Sequence, residues 1–272
     1  MASMNGRSAT RAELRQIAGL ARARERRAAG ECLVEGATLL HEALCAGLRP
    51  RVVAVSEQLA DRHGELLERA HEAGAELLWA RADDLARDAD RDHGPPLLAA
   101  VPLPPAGQLS DLPESGAALV AVLCGLQDPG NVGTLLRSAR AFGASLCVTL
   151  PGTADVWGPK VIRSSAGAVF AMPCLALEAL DGLLGSTDLQ PVAALPPEPP
   201  SGSSLATPGA AHVSEGHLPG RCLLLLGHET RGLSSVSGLP AVTVPQVPGV
   251  DSLNVAMAGS ILMADWYRAR SS

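Results

Sequence analysis

The sequence predicts an α/β protein in two parts, the second built on a parallel sheet. Three observations carry that reading. Short apolar runs alternate with amphipathic or charged segments along most of the 272 residues. The runs of the second half, such as LVAVLC and CLLLLG, are apolar at every position, as strands covered on both faces must be. Between the two series lies PLPPAGQLSDLPESG (102–116), polar and proline-rich, which reads as a linker over 104–116.

Taken in order, residues 1–30 are expected to form a basic helical arm. Seven arginines (Arg7, Arg11, Arg15, Arg22, Arg24, Arg26 and Arg27) face only Glu13 and Glu25, a local charge of +5 in a chain of net charge −6. Such an arm suits nucleic-acid phosphate. It equally suits a solvated helix, because lysine occurs once, at Lys160, and arginine supplies nearly all positive charge. A small α/β domain is expected over 31–103. Its strands are ECLVEG (31–36), RVVAVS (51–56), AELLWA (75–80) and LLAAV (97–101); its helices cover 37–48, 57–74 and DDLARDAD.

The larger domain, 117–272, opens with a strand at 117–124 and a helix from 132. A strand at 145–150 and a helix around 158–167 follow, then strands near 190–194, 222–227 and 241–244. A helix over 252–269 closes it. The stretch 196–216 is too rich in Pro, Ser and Gly to build a core and is expected to be a mobile surface insertion.

Several classes fall away. No run approaches the roughly 20 apolar residues of a membrane helix, and MASMNGRSATRAELRQ has no signal-peptide core. A cytoplasmic location is expected. The six cysteines have no C-x-x-C spacing and sit mostly in apolar runs, so they are expected to be buried and reduced, with no metal site.

Three loops after strand ends carry the polar residues. QDPGNVGTLLRSARA (127–141) has glycines but lacks the Lys and Ser/Thr of a phosphate-binding loop. It offers Asn131 as a helix cap, Gly133 for close backbone approach, and Arg137 with Arg140 on the helix. GHETRGL (227–233) contains Glu229, and VPQVPGVDSLNVA (244–256) contains Ser252 and Asn254 before the last helix. Each loop follows a parallel strand, where open α/β sheets bind ligands.

In order and spacing, NVGTLLR, GHETRGL and VPQVPGVDSLNVA resemble the three motifs of the SpoU/TrmH group of SPOUT RNA methyltransferases. ECLVEGATLLHEAL (31–44) is similar, more loosely, to the small L30e-like substrate-binding domain of that group. The resemblance implies methyl transfer from S-adenosylmethionine to a ribose 2′-hydroxyl in structured rRNA, or in tRNA, without a metal. It also implies a trefoil knot and a homodimer through the last helix, whose apolar face is Val255, Met257, Ile261 and Leu262. By motif position, Arg137, Asn131, Glu229, Ser252 and Asn254 carry over as catalytic residues. Gly227, Val244, Gln246 and Leu253 carry over as cofactor contacts, and Gln246 stands where the group often has an apolar residue such as Met. Lys160, Arg163 and Arg140 are expected to meet RNA phosphate. A guanidinium is a poor base, so Arg137 is expected to hold a phosphate or stabilise the forming alkoxide, although a base role stays open. His228 is expected to be a bystander. The competing readings are a base-nitrogen methyltransferase of the same fold and a catalytically idle RNA-binding protein.

Overall fold

The computed structural model describes residues 6–88, 97–196, 218–227, 238–247 and 253–271. They form two compact units: residues 1–104 with 155–171, and residues 105–154 with 172–272. The expected insertion at 196–216 lies outside the described residues except for its first position. So does most of the chain path (228–237 and 248–252) on which the expected knot depends.

The first unit contains β1 (Arg7–Ser8), α1 (Arg11–Gly19), α2 (Ala23–Ala29), β2 (Glu31–Glu35), α3 (Ala37–Cys45), β3 (Val52–Val55), α4 (Glu57–Ala60), α5 (Gly64–Glu72), β4 (Glu76–Trp79), α6 (Ala82–Asp88) and β5 (Leu97–Pro102). Its sheet has the order β1-β4-β3-β5-β2, with β5 antiparallel to both neighbours. The single charged helix expected over 57–74 breaks into α4 and α5.

The N-terminal segment is part of this unit and not an arm laid on it. Leu14, Ile17 and Leu20 are buried in one cluster with Leu33, Val52, Leu78 and Leu98. β1 pairs with β4, and Thr10 and Glu13 close a capping box on α1. Arg7 pairs with Glu13 and Glu76. Arg26, only 4% exposed, donates to the carbonyls of Leu20 and Ala21 and to Asp155 at 2.5 Å.

The second unit opens with β6 (Ala118–Cys124), α7 (Pro129–Ala141) and β7 (Leu146–Thr149). The chain then makes α8 (Pro159–Ser164), which belongs to the first unit, before β8 (Cys174–Ala176), α9 (Asp181–Leu184), β9 (Gln190–Ala194), β10 (Arg221–Gly227), β11 (Ala241–Val242) and α10 (Val255–Arg268). The sheet order is β11-β9-β10-β6-β7-β8, and every pair is parallel. This is the sheet that the uninterrupted apolar runs predict.

One face of that sheet carries Val120, Val122, Leu223 and Leu225 against Leu180 and Leu183. On the other face Gly259 of α10 lies where an added Cβ would meet Leu135 of α7 at 2.6 Å and Leu226 of β10 at 3.1 Å. Part of the expected linker packs on the first face, where Leu109 and Leu112 lie against the same cluster. The Gly107 N–H donates to the Cys174 carbonyl, and a side chain at 107 would strike Leu146 at 2.6 Å.

The segment 155–171, expected in the second domain, sits with the first unit because two ion pairs hold it there. Asp155 takes Arg26, and Arg163 is paired with Glu35. All six cysteines are free. Cys32, Cys147 and Cys222 are buried, Cys124 and Cys174 are half-buried, and Cys45 is exposed, contrary to expectation. It lies on the outer face of α3, beside His41 one turn earlier.

Removing residues 1–30 is expected to abolish cooperative unfolding of the first unit, read by circular dichroism and limited proteolysis. Arg26→Ala is expected to cost about 3 kcal/mol in urea, because Asp155 loses its partner and two carbonyls lose their donor. A truncated chain that melts like the full one would show the arm to be an appendage after all.

Candidate active site

The site is built on the C-terminal ends of parallel strands. β6 and β10 end in register, Cys124 opposite Gly227, so their following loops start side by side. After β6 the chain turns at Gly125, in the left-handed region with φ 67°. Thr153 holds this turn: its Oγ1 accepts from the Gly125 N–H at 3.1 Å and donates to the Leu123 carbonyl at 2.9 Å. No sequence signal singled out Thr153.

The cap of α7 differs from the expected one. Asp128, and not Asn131, is the N-cap, its carboxylate accepting the Gly130 N–H at 2.7 Å, with Pro129 at the first helical position. The pair Asp-Pro carried that signal in the sequence. Asn131 therefore lies inside the first turn, and Gly133 is buried within the helix instead of lining the turn.

Asn254 does cap its helix. Its Oδ1 accepts from the N–H groups of Ala256 at 2.8 Å and Met257 at 3.3 Å. Its Nδ2 donates to Asn131 Oδ1 at 3.0 Å, joining two loops 123 residues apart. Further along the same helices Ser260 donates to the Ala256 carbonyl, so in its 2.7 Å contact with Ser138 the hydrogen comes from Ser138.

Arg137 is exposed and makes no hydrogen bond or ion pair among the described residues. Arg140 is exposed one turn on. Cys124, beside the turn, is pushed by burial up to about 12 and stays a neutral thiol. Glu229, His228 and Ser252 lie outside the described residues, so their expected places are neither met nor missed. Of the phosphate-binding candidates, Lys160 is exposed, whereas Arg163 is half-buried and committed to Glu35. The described residues hold no cluster of three or more His, Cys, Asp or Glu that could bind a metal.

The expected cofactor positions Gly227, Val244, Gln246 and Leu253 follow or end strands of this sheet. Two polar atoms there are buried without a partner among the described residues: Thr243 Oγ1 and Gln246 Oε1. A buried acceptor left unpaired costs about 1–3 kcal/mol, so a ligand with N–H groups fits this edge.

Comparison with known proteins decides what the site belongs to. Residues 118–264 match the SpoU rRNA Methylase family, and residues 11–99 match the MRM3-like substrate binding domain. The chain belongs to the SpoU rRNA methylase family. It is 29% identical to an uncharacterised tRNA/rRNA methyltransferase of Synechocystis sp. over 94% of this chain and 90% of that one. It is 28% identical to the 23S rRNA (uridine(2479)-2′-O)-methyltransferase of Streptomyces viridochromogenes, over 85% and 84% of the two chains. Among solved structures, the SpoU methyltransferase AviRb of Streptomyces viridochromogenes, in complex with AdoMet, superposes with a TM-score of 0.76 at 26% identity, covering 96% of this chain and 98% of that one. The substrate-binding match begins at residue 11, in agreement with the N-terminal helices being part of the first unit.

The Asn pair separates two roles of Asn254. Asn254→Asp keeps the capping oxygen and is expected to melt within about 1 °C of wild type. Asn254→Ala is expected to lose about 1 kcal/mol. Equal destabilisation by both would mean that the Asn131 bond, and not the cap, holds the helix start.

Proposed function

We propose that this SpoU methylase transfers the methyl group of S-adenosylmethionine to a ribose 2′-hydroxyl of rRNA. The observation that carries the reading is the Asn254–Asn131 bond, which brings the first and third motif loops together on the helix that carries the exposed Arg137, a side chain that meets no partner among the described residues. The family match and the relative named as a 23S rRNA 2′-O-methyltransferase support the substrate class.

Bound S-adenosylmethionine would supply the electrophilic methyl. Backbone groups of Gly227, Val244 and Leu253, with the Gln246 side chain, would hold its adenosine. The chain's own task is to place a weak nucleophile and to stabilise the oxygen as its proton passes to solvent water. Asn131 Oδ1 is taken by Asn254, so its Nδ2 is presented as a donor for a ribose or phosphate oxygen. Arg137 stabilises the forming alkoxide or holds the adjacent phosphate, since a guanidinium is a poor base. Glu229 and Ser252 are assigned to positioning. Lys160 and Arg140 are assigned to RNA phosphate; Arg163 anchors its own segment instead.

We further infer a homodimer through α10. Met257 and Ile261 stand 55% and 38% exposed one turn apart, while Leu262 of the expected face is core. The free thiols suit a reducing, cytoplasmic location.

With labelled S-adenosylmethionine and rRNA lacking the modification, wild type is expected to label a ribose. Label on a base, or none, would overturn the assignment. Arg137→Ala is expected to bind cofactor within about twofold of wild type and to lose on the order of a hundredfold in turnover. Ile261→Asp is expected to give the monomer mass by light scattering where wild type gives the dimer.

A further inference from the structure

The Gln246 side chain has an orientation that its neighbours define. Its Nε2 donates to the Val244 carbonyl at 3.5 Å, a contact only the nitrogen can make, which turns Oε1 the other way. That oxygen is buried and accepts no hydrogen bond among the described residues. Thr243, three residues earlier, holds a second buried oxygen without a partner there. Native proteins rarely leave such groups unpaired. The Gln246 oxygen, just after β11, is thus an acceptor that an N–H group of a ligand would satisfy.

We propose that Gln246 reads the amino edge of the adenine ring, making this chain selective for the 6-amino group of its cofactor. This rests on the S-adenosylmethionine reading above. An amide matches adenine because it offers one acceptor and a donor side by side. Oε1 accepts from the 6-amino group, and the second Nε2 hydrogen, not used by Val244, reaches a ring nitrogen. A methionine at this position would present neither group and could contribute only apolar contact. The base selectivity is thus a property of this chain's own residue, added to whatever backbone contacts hold the adenosine.

Calorimetric binding of S-adenosylhomocysteine and of its 6-deamino analogue, in which hydrogen replaces the amino group, tests this without turnover. Wild type is expected to prefer the adenine compound by about tenfold to a hundredfold. Gln246→Met is expected to bring that ratio near one, and Gln246→Glu, which keeps an acceptor, to retain a preference. Equal binding of both compounds by wild type, or a ratio unchanged in Gln246→Met, overturns the proposal. If wild type binds neither compound, the cofactor assignment itself falls, an outcome distinct from equal binding.

Discussion

The candidate site depends on how closely α10 can lie on α7 and β10. Gly259 makes the approach possible, since even a methyl group there would collide with Leu135 and crowd Leu226. With the helices this near, Asn254 reaches Asn131 and Ser138 reaches Ser260. The far end of α10 is tied as well: Trp266 donates to the Pro219 carbonyl, and Arg270 stacks on Trp266 and donates to Leu218. The sheet alone would not bring these loops together. β11 and β6 are separated by β9 and β10, so it is the helix pair that closes the distance between the first and third loops.

The site's chemistry follows from what is fixed and what is left. Asn254 Oδ1 is used up on two N–H groups at the start of α10, which leaves only its nitrogen to face Asn131. Asn131 must then accept with its oxygen, and its nitrogen becomes the group on offer. The direction of donation therefore runs from the helix start outward. On the same helix stands the guanidinium of Arg137, and at the end of β6 the Cys124 thiol, which burial keeps neutral. Neither is suited to taking a proton near neutral pH. What such a site provides is position and charge stabilisation, the two contributions that an in-line transfer to a hydroxyl most needs.

Much of the fold was legible because the apolar runs are long and uninterrupted. The run read as 222–227 is β10, and the amphipathic stretch read as 252–269 contains α10. Short elements escaped: β1 has two residues and β8 three, too few for any periodicity. The transfer of 155–171 to the first unit was illegible for another reason. It rests on Asp155 and Arg163 meeting partners 129 and 128 residues away, information no local pattern holds. At the site, the cap that the sequence suggests at Asn131 is Asp128 instead. The loops were grouped by the order of their motifs, and only the structure supplies the bond between Asn131 and Asn254.

Arginine is where composition misled most. With a single lysine in the chain, charge counting cannot separate structural cations from functional ones; partners can. Arg26 meets Asp155, Arg51 grips Glu31 with two bonds, Arg163 meets Glu35, and Arg221 meets Asp188. Each guanidinium is spent on holding the fold, Arg26 within a segment whose charge suits RNA and a solvated helix equally, and Arg163 at a position that the family resemblance assigns to RNA phosphate. Arg137 differs from these four, since no carboxylate among the described residues meets it. Exposed arginines such as Arg11 and Arg15 share that trait, and what sets Arg137 apart is its place on the helix that carries Asn131. An exposed arginine of this kind adds little to stability. Its place on α7, six residues past Asn131 and roughly 9 Å further along the axis, is fixed by the same packing that Gly259 permits. The site thus keeps a charge that folding does not require, at a position that folding determines.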